Sequence, residues 1–171
     1  MTRRGWILTA GLAVVVVGVG AGVLLTRGPG QGPLGPPTDD IGFTSVRRDI
    51  GQRVTMPVAD LGSYQGGQPA VLDSIVPNST LVGMRMVGSG VTSGVGTLDG
   101  YPPQGHDLQA LRGFRVTPST GPVQVVVGLQ LTSSGDHHID GFTLHYHVGS
   151  THYTAVFHQG VTFCATGSMG C

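Results

Sequence analysis

Apolar positions along the chain follow two rules, and the change of rule divides the protein. From Gly5 to Thr26 they run on without a charge: 22 residues, GWILTAGLAVVVVGVGAGVLLT, between Arg3–Arg4 and Arg27. As a helix rising 1.5 Å per residue this stretch reaches about 33 Å, enough to cross a ~30 Å hydrocarbon core. From about Ile41 the apolar residues come instead in short runs cut by Gly, Pro, Asp and Ser. Within those runs they alternate, as one face of a β-strand requires.

The alternation is clearest in three places. In Val123–Leu131 every odd position is Val or Leu, which predicts a half-buried strand. Phe142, Leu144, Tyr146 and Val148 alternate with Thr143, His145 and His147. Tyr153, Ala155 and Phe157 alternate with His152, Thr154 and His158. Weaker candidates cover 41–47, 52–58, 70–76, 80–87 and 111–117, and a last strand covers Val161–Cys164. No soluble helix is predicted. An antiparallel Ig-like β-sandwich follows from strand number alone, preceded by one transmembrane helix. Neither Ig hallmark is present, since both cysteines lie at the C-terminus and Trp6, the only Trp, lies in the apolar run.

The domain reading is therefore a cytoplasmic N-terminus over 1–4, a signal-anchor over 5–26, a linker over 27–40 and an extracytoplasmic domain over 41–171. Gly28–Pro37 (GPGQGPLGPP) has four Pro and four Gly, the composition of an extended spacer with little to bury. Arg3 and Arg4 flank one side of the apolar run, so the positive-inside rule puts the C-terminal domain outside the cytoplasm. A cleaved signal peptide with a secreted product is the competing reading, through the small residues of Val19-Gly20-Ala21. Gly18 and Gly22 form a GxxxG pair through which two anchors could pack as a homodimer.

Composition then removes whole classes of chemistry. All nine cations are Arg, all nine anions are Asp, and the chain has no Lys and no Glu. A Walker A phosphate loop, a Schiff-base lysine and an HExxH metalloprotease site are thereby excluded. Beyond residue 27 six Arg face nine Asp, a balance of −3 with neutral His, and no basic stripe tracks a phosphate backbone. Nucleic acid is not an expected partner. Gly88–Gly96 is Gly-rich but lacks the cation of a phosphate cradle, and reads as a hairpin loop. No GxSxG nucleophile elbow appears.

Two groups of residues carry candidate chemistry. Cys164 and Cys171 are separated by six small or flexible residues. Outside the cytoplasm a disulfide is the default, worth roughly 2.5 kcal/mol on the chain-entropy account.

The second group is the histidines. If Gly149-Ser150 forms a two-residue type II′ turn, the numbers of each cross-strand pair sum to 299. His147 then faces His152, Tyr146 faces Tyr153 and His145 faces Thr154. His145, His147 and His152 share one face within about 5–8 Å, a donor set that Zn²⁺ or Cu²⁺ can use. The plain alternative is that they are solvent-face positions in a chain with no Lys or Glu to fill them. No catalytic residue is assigned, so the chain reads as a non-catalytic interaction or envelope-associated module whose partner is an envelope or cell-surface protein. Metal binding at the His face is the alternative, with metal-assisted hydrolysis at the same cluster a distant third.

Overall fold

The computed structural model describes residues 32–34, 44–61, 64–94, 98–158 and 160–165. The described part is all-β, without a helix. No helix among the described residues is long and apolar enough to cross a membrane. The expected anchor over 5–26 lies outside them, as does Cys171.

Among the described residues, twelve strands form three sheets. The first has three strands: β1 (Thr44–Arg48), β12 (Val161–Ala165) and β9 (Asp136–Ile139), with β1 and β12 parallel. The second, antiparallel, has the order β11 (Thr151–Phe157), β10 (Phe142–Val148), β3 (Ala70–Pro77) and β7 (Arg115–Val116). The third, also antiparallel, has the order β5 (Leu98–Asp99), β2 (Arg53–Asp60), β8 (Gln124–Leu131), β4 (Met84–Thr92) and β6 (Gln109–Ala110). All three contribute to one core, among them Phe163 and Ile139 from the first, Leu72, Phe142, Leu144 and Tyr146 from the second, and Val54, Met56 and Leu129 from the third.

The β10–β11 hairpin has the register that its alternation and turn predict. Phe142 pairs with Phe157, Tyr146 with Tyr153, His147 with His152 and Val148 with Thr151. Gly149 supplies the positive φ (59°) that the two-residue turn demands.

Elsewhere three sequence expectations are corrected. The strand β8 is buried on both faces, since Val126 and Gly128 are as covered as Val125, Val127 and Leu129. The cover comes from the segment after β5, where Tyr101 lies over Gly128 and Gly88, which pair across β8 and β4, and Leu108 lies over Gly90. A Cβ at either paired glycine would overlap the Tyr101 ring. The Gly-rich stretch from Gly88 is therefore mostly strand, not hairpin loop: its missing side chains make a slot for an aromatic ring. Finally, Gly32–Leu34 of the linker is docked and not a free spacer. Gly32 is buried against Tyr146 and Tyr153, and the Leu34 N–H donates to Tyr146 Oη at 3.3 Å.

Candidate metal centre

On the second sheet the alternation of β10 turns Phe142, Leu144 and Tyr146 into the core and leaves His145 and His147 on the outer face, partly exposed. From β11, His152 stands on that face opposite His147, the two rings 5.4 Å apart between centroids and tilted by 48°. His145 stands opposite Thr154 on one side and Ser74 on the other.

The third side of the site comes from β3, where the sequence pattern concealed it. In Ala70-Val-Leu-Asp-Ser-Ile-Val-Pro77 the buried positions are Ala70, Leu72 and Ile75, so the parity of the strand changes between Leu72 and Ile75. The ladder shows the cause. Tyr146 pairs with Leu72 and His145 with Ser74, which leaves Asp73 as the extra residue of a β-bulge. A bulge re-aims one side chain while the hydrophobic register recovers on either side. Here it turns the Asp73 carboxylate across the sheet toward the histidines.

Asp73 meets both members of the cross-strand pair. His147 Nδ1 lies 2.9 Å from Asp73 Oδ1 and 3.1 Å from Oδ2. A carboxylate oxygen accepts, so in this hydrogen bond Nδ1 donates. His152 Nδ1 lies 3.7 Å from Asp73 Oδ2. The side chains of Asp73 and His147 are about a third exposed (35% and 30%), whereas that of His152 is 78% exposed. Each of the three can offer a ligand atom such that all lie within 4.8 Å of one another. Beside them is a shallow depression of about 190 Å³, lined by Asp73, His145, Tyr146, His152, Tyr153 and Thr154.

The structure thus brings His147 and His152 together with Asp73, and places His145 at the rim of the same depression but outside the tight group of three. The other histidines are elsewhere. His137 contacts Ser133, and His138 pairs with Asp140 at 3.2 Å; both belong to β9, in the first sheet. His106 is exposed in the segment between β5 and β6, and His158 follows the end of β11. Cys164 is fully buried in β12, and its expected bridge to Cys171 falls outside the described residues. Asp73 was missed by sequence reasoning because β3 and β10 are some seventy positions apart, and nothing local names them as neighbours. Two consecutive polar residues inside an apolar strand, Asp73-Ser74, were the available signal.

No protein-family model, curated protein or solved structure matches this chain.

Proposed function

We propose that this chain is a membrane-tethered, extracytoplasmic β-sandwich module that holds a divalent transition ion, Zn²⁺ or Cu²⁺, on the outer face of its second sheet. The observation that carries the reading is the Asp73–His147–His152 group. Two imidazoles and a carboxylate suit Zn²⁺ and Cu²⁺. Donors bound to one such ion at about 2.0–2.2 Å lie about 2.8–4.2 Å apart, depending on the angle between them. Measured to the one oxygen Asp73 Oδ2, the separations of 3.1 Å from His147 Nδ1 and 3.7 Å from His152 Nδ1 fall inside that interval. The bulge adds weight, because a plain strand would pack this position without aiming a carboxylate at two histidines.

Binding at His147 Nδ1 replaces the proton now shared with Asp73, so loading releases protons and weakens as pH falls. The depression is smaller than the roughly 300–1,000 Å³ of most small-molecule pockets. A holding or sensing role therefore fits better than catalysis. The apolar run over 5–26, with arginines before it, supports a single-pass anchor with the domain outside, where a Cys164–Cys171 disulfide would form.

A second reading, a contact face for an envelope protein, draws on Val76 and Val156. These flank Thr143 in one cross-strand row and are 42% and 39% exposed.

Site-resolved NMR of the imidazole nitrogens separates the two readings. On adding Zn²⁺, the metal reading expects the resonances of His147 and His152 to shift and those of His106 and His138 to stay. Uniform or absent shifts would leave the contact-face reading.

A further inference from the structure

We infer that the cavity between the end of β1, the start of β2 and the end of β5 receives a phosphomonoester dianion, with Arg48 and Arg53 as its ligands and Asp99 as the group it displaces. The inference uses no residue of the metal centre and stands apart from that reading.

Beyond residue 27 the chain has six Arg against nine Asp, yet this cavity brings two Arg together with one Asp. Its volume is about 340 Å³, and its lining is Arg48, Gln52, Arg53, Asp99 and Gly100. That is within the range of small-molecule sites, unlike the depression beside the histidines. Hydrogen bonds fix its walls. The Gly100 N–H donates to the Arg53 carbonyl and Thr55 Oγ1 donates to the Gly100 carbonyl, each at 2.7 Å. In the β1–β2 turn the Gly51 N–H donates to the Leu131 carbonyl at 2.8 Å. The nearby Asp49 carboxylate accepts from Gln52 Nε2 at 3.4 Å and does not line the cavity.

The guanidinium of Arg48 is only partly used. Its Nη1 donates to the Arg47 carbonyl at 2.7 Å, and its Nη2 lies 2.6 Å from Asp99 Oδ1. Its Nε–H is buried and has no acceptor among the described residues. Nε–H and Nη2–H lie along one edge of the planar group, the edge that grips two oxygens of one anion in parallel. Asp99 takes half of that edge through one oxygen, with a side chain 87% exposed against 24% for Arg48. The Asp99 backbone is fixed by pairing with Val54, so only the carboxylate has to swing out for an anion to take both donors. A buried donor without an acceptor destabilises the fold, and a two-oxygen anion on this edge removes that cost.

Charge selects the anion. A monocarboxylate offers Arg48 no more than Asp99 already does, so it has no advantage in replacing it. A phosphomonoester, whose second pKa is about 6, carries nearly two charges at neutral pH. It can place two oxygens on Arg48 and turn the third toward Arg53, an exposed cation in no ion pair among the described residues.

The test uses the full chain in detergent micelles, with inorganic phosphate alone as the first probe and the Arg48 Nε–H resonance as the readout. Phosphate should shift that resonance in a saturable, one-to-one manner, and acetate at the same concentration should not. Asp99→Asn, which removes the competing charge at an exposed position, should raise phosphate affinity at least about three-fold, and Arg53→Gln should lower it by at least about as much. The Asp73→Ala/His147→Ala/His152→Ala variant should bind phosphate as wild type does. Glycerol 3-phosphate in solution and phosphatidic acid in the micelle form the second arm, and the one that moves the resonance at lower concentration identifies the source of the phosphate group. An unmoved Arg48 resonance, an equal response to acetate, or an Asp99→Asn protein that binds phosphate no more tightly than wild type would overturn the inference and leave Arg48–Asp99 as a plain salt bridge. Loss of phosphate binding in the triple variant would overturn it as well, by moving the anion to the histidine face.

Discussion

Replacing Asp73 by Ala removes the carboxylate that lies against both His147 and His152, and its consequences with and without metal differ enough to be measured. Without metal, the loss is a hydrogen bond between two groups about a third exposed. Solvent screening limits its worth to less than about 1 kcal/mol. With metal the situation changes. An ion that binds only the folded state stabilises it by about 2.7 kcal/mol at a free concentration one hundred times Kd. For a chain of this length that raises the thermal midpoint by about 5–11 °C. If losing Asp73 weakens binding about 100-fold, the same metal concentration equals the new Kd, and the stabilisation falls to about 0.4 kcal/mol. The midpoint then rises only about 1–2 °C. The assay is thermal unfolding of the full chain with and without Zn²⁺, for wild type and Asp73→Ala. A variant whose metal-induced rise equals that of wild type would refute the role given to Asp73. So would a wild type that shows no rise.

Other expectations concern the fold that presents the site. Gly128→Ala places a methyl group against the Tyr101 ring at the centre of a sheet; overpacking of this kind should cost about 1–3 kcal/mol in urea unfolding, and an unchanged midpoint would contradict the slot. Burial raises the Tyr101 phenol above its ordinary value, and burial, then repulsion from Tyr153, does the same for Tyr64. A raised phenol favours the folded state below about pH 10, and that contribution is lost as pH rises through the folded value. With no Lys in the chain, stability should be nearly flat between pH 8 and about 10 and fall above it, less steeply in Tyr101→Phe; an identical alkaline fall in the variant would contradict this. Because Cys164 is buried, alkylation is done in denaturant without reductant and read by mass spectrometry; it should leave Cys164 and Cys171 unlabelled, and labelling of both would remove the disulfide.

How much of this was legible in the sequence depends on how local each determinant is. The β10–β11 hairpin was readable to the residue because two alternating runs and a Gly149-Ser150 turn admit one register that keeps Phe142, Leu144, Tyr153 and Phe157 on a common face. That register carried the facing pair His147 and His152 with it. Asp73 was not readable. Its position depends on β3 pairing with β10 across a long sequence separation, and on a bulge that only that pairing reveals. Burial of Gly128 was hidden for the same reason, because Tyr101, which covers it, comes from a loop without periodicity. Short strands such as β5, β6 and β7, each two residues long, have no alternation to detect. Local rules thus found the hairpin and two of the three residues of the candidate centre; long-range pairing supplied the third.

The most direct measurement is calorimetric titration of the full chain with Zn²⁺ and with Cu²⁺, beside the Asp73→Ala/His147→Ala/His152→Ala variant. Sub-micromolar binding at one ion per chain, absent from the variant, is the predicted result. Binding that is equally weak in both proteins, or absent from both, would contradict the metal centre and leave its residues as ordinary members of an exposed sheet face.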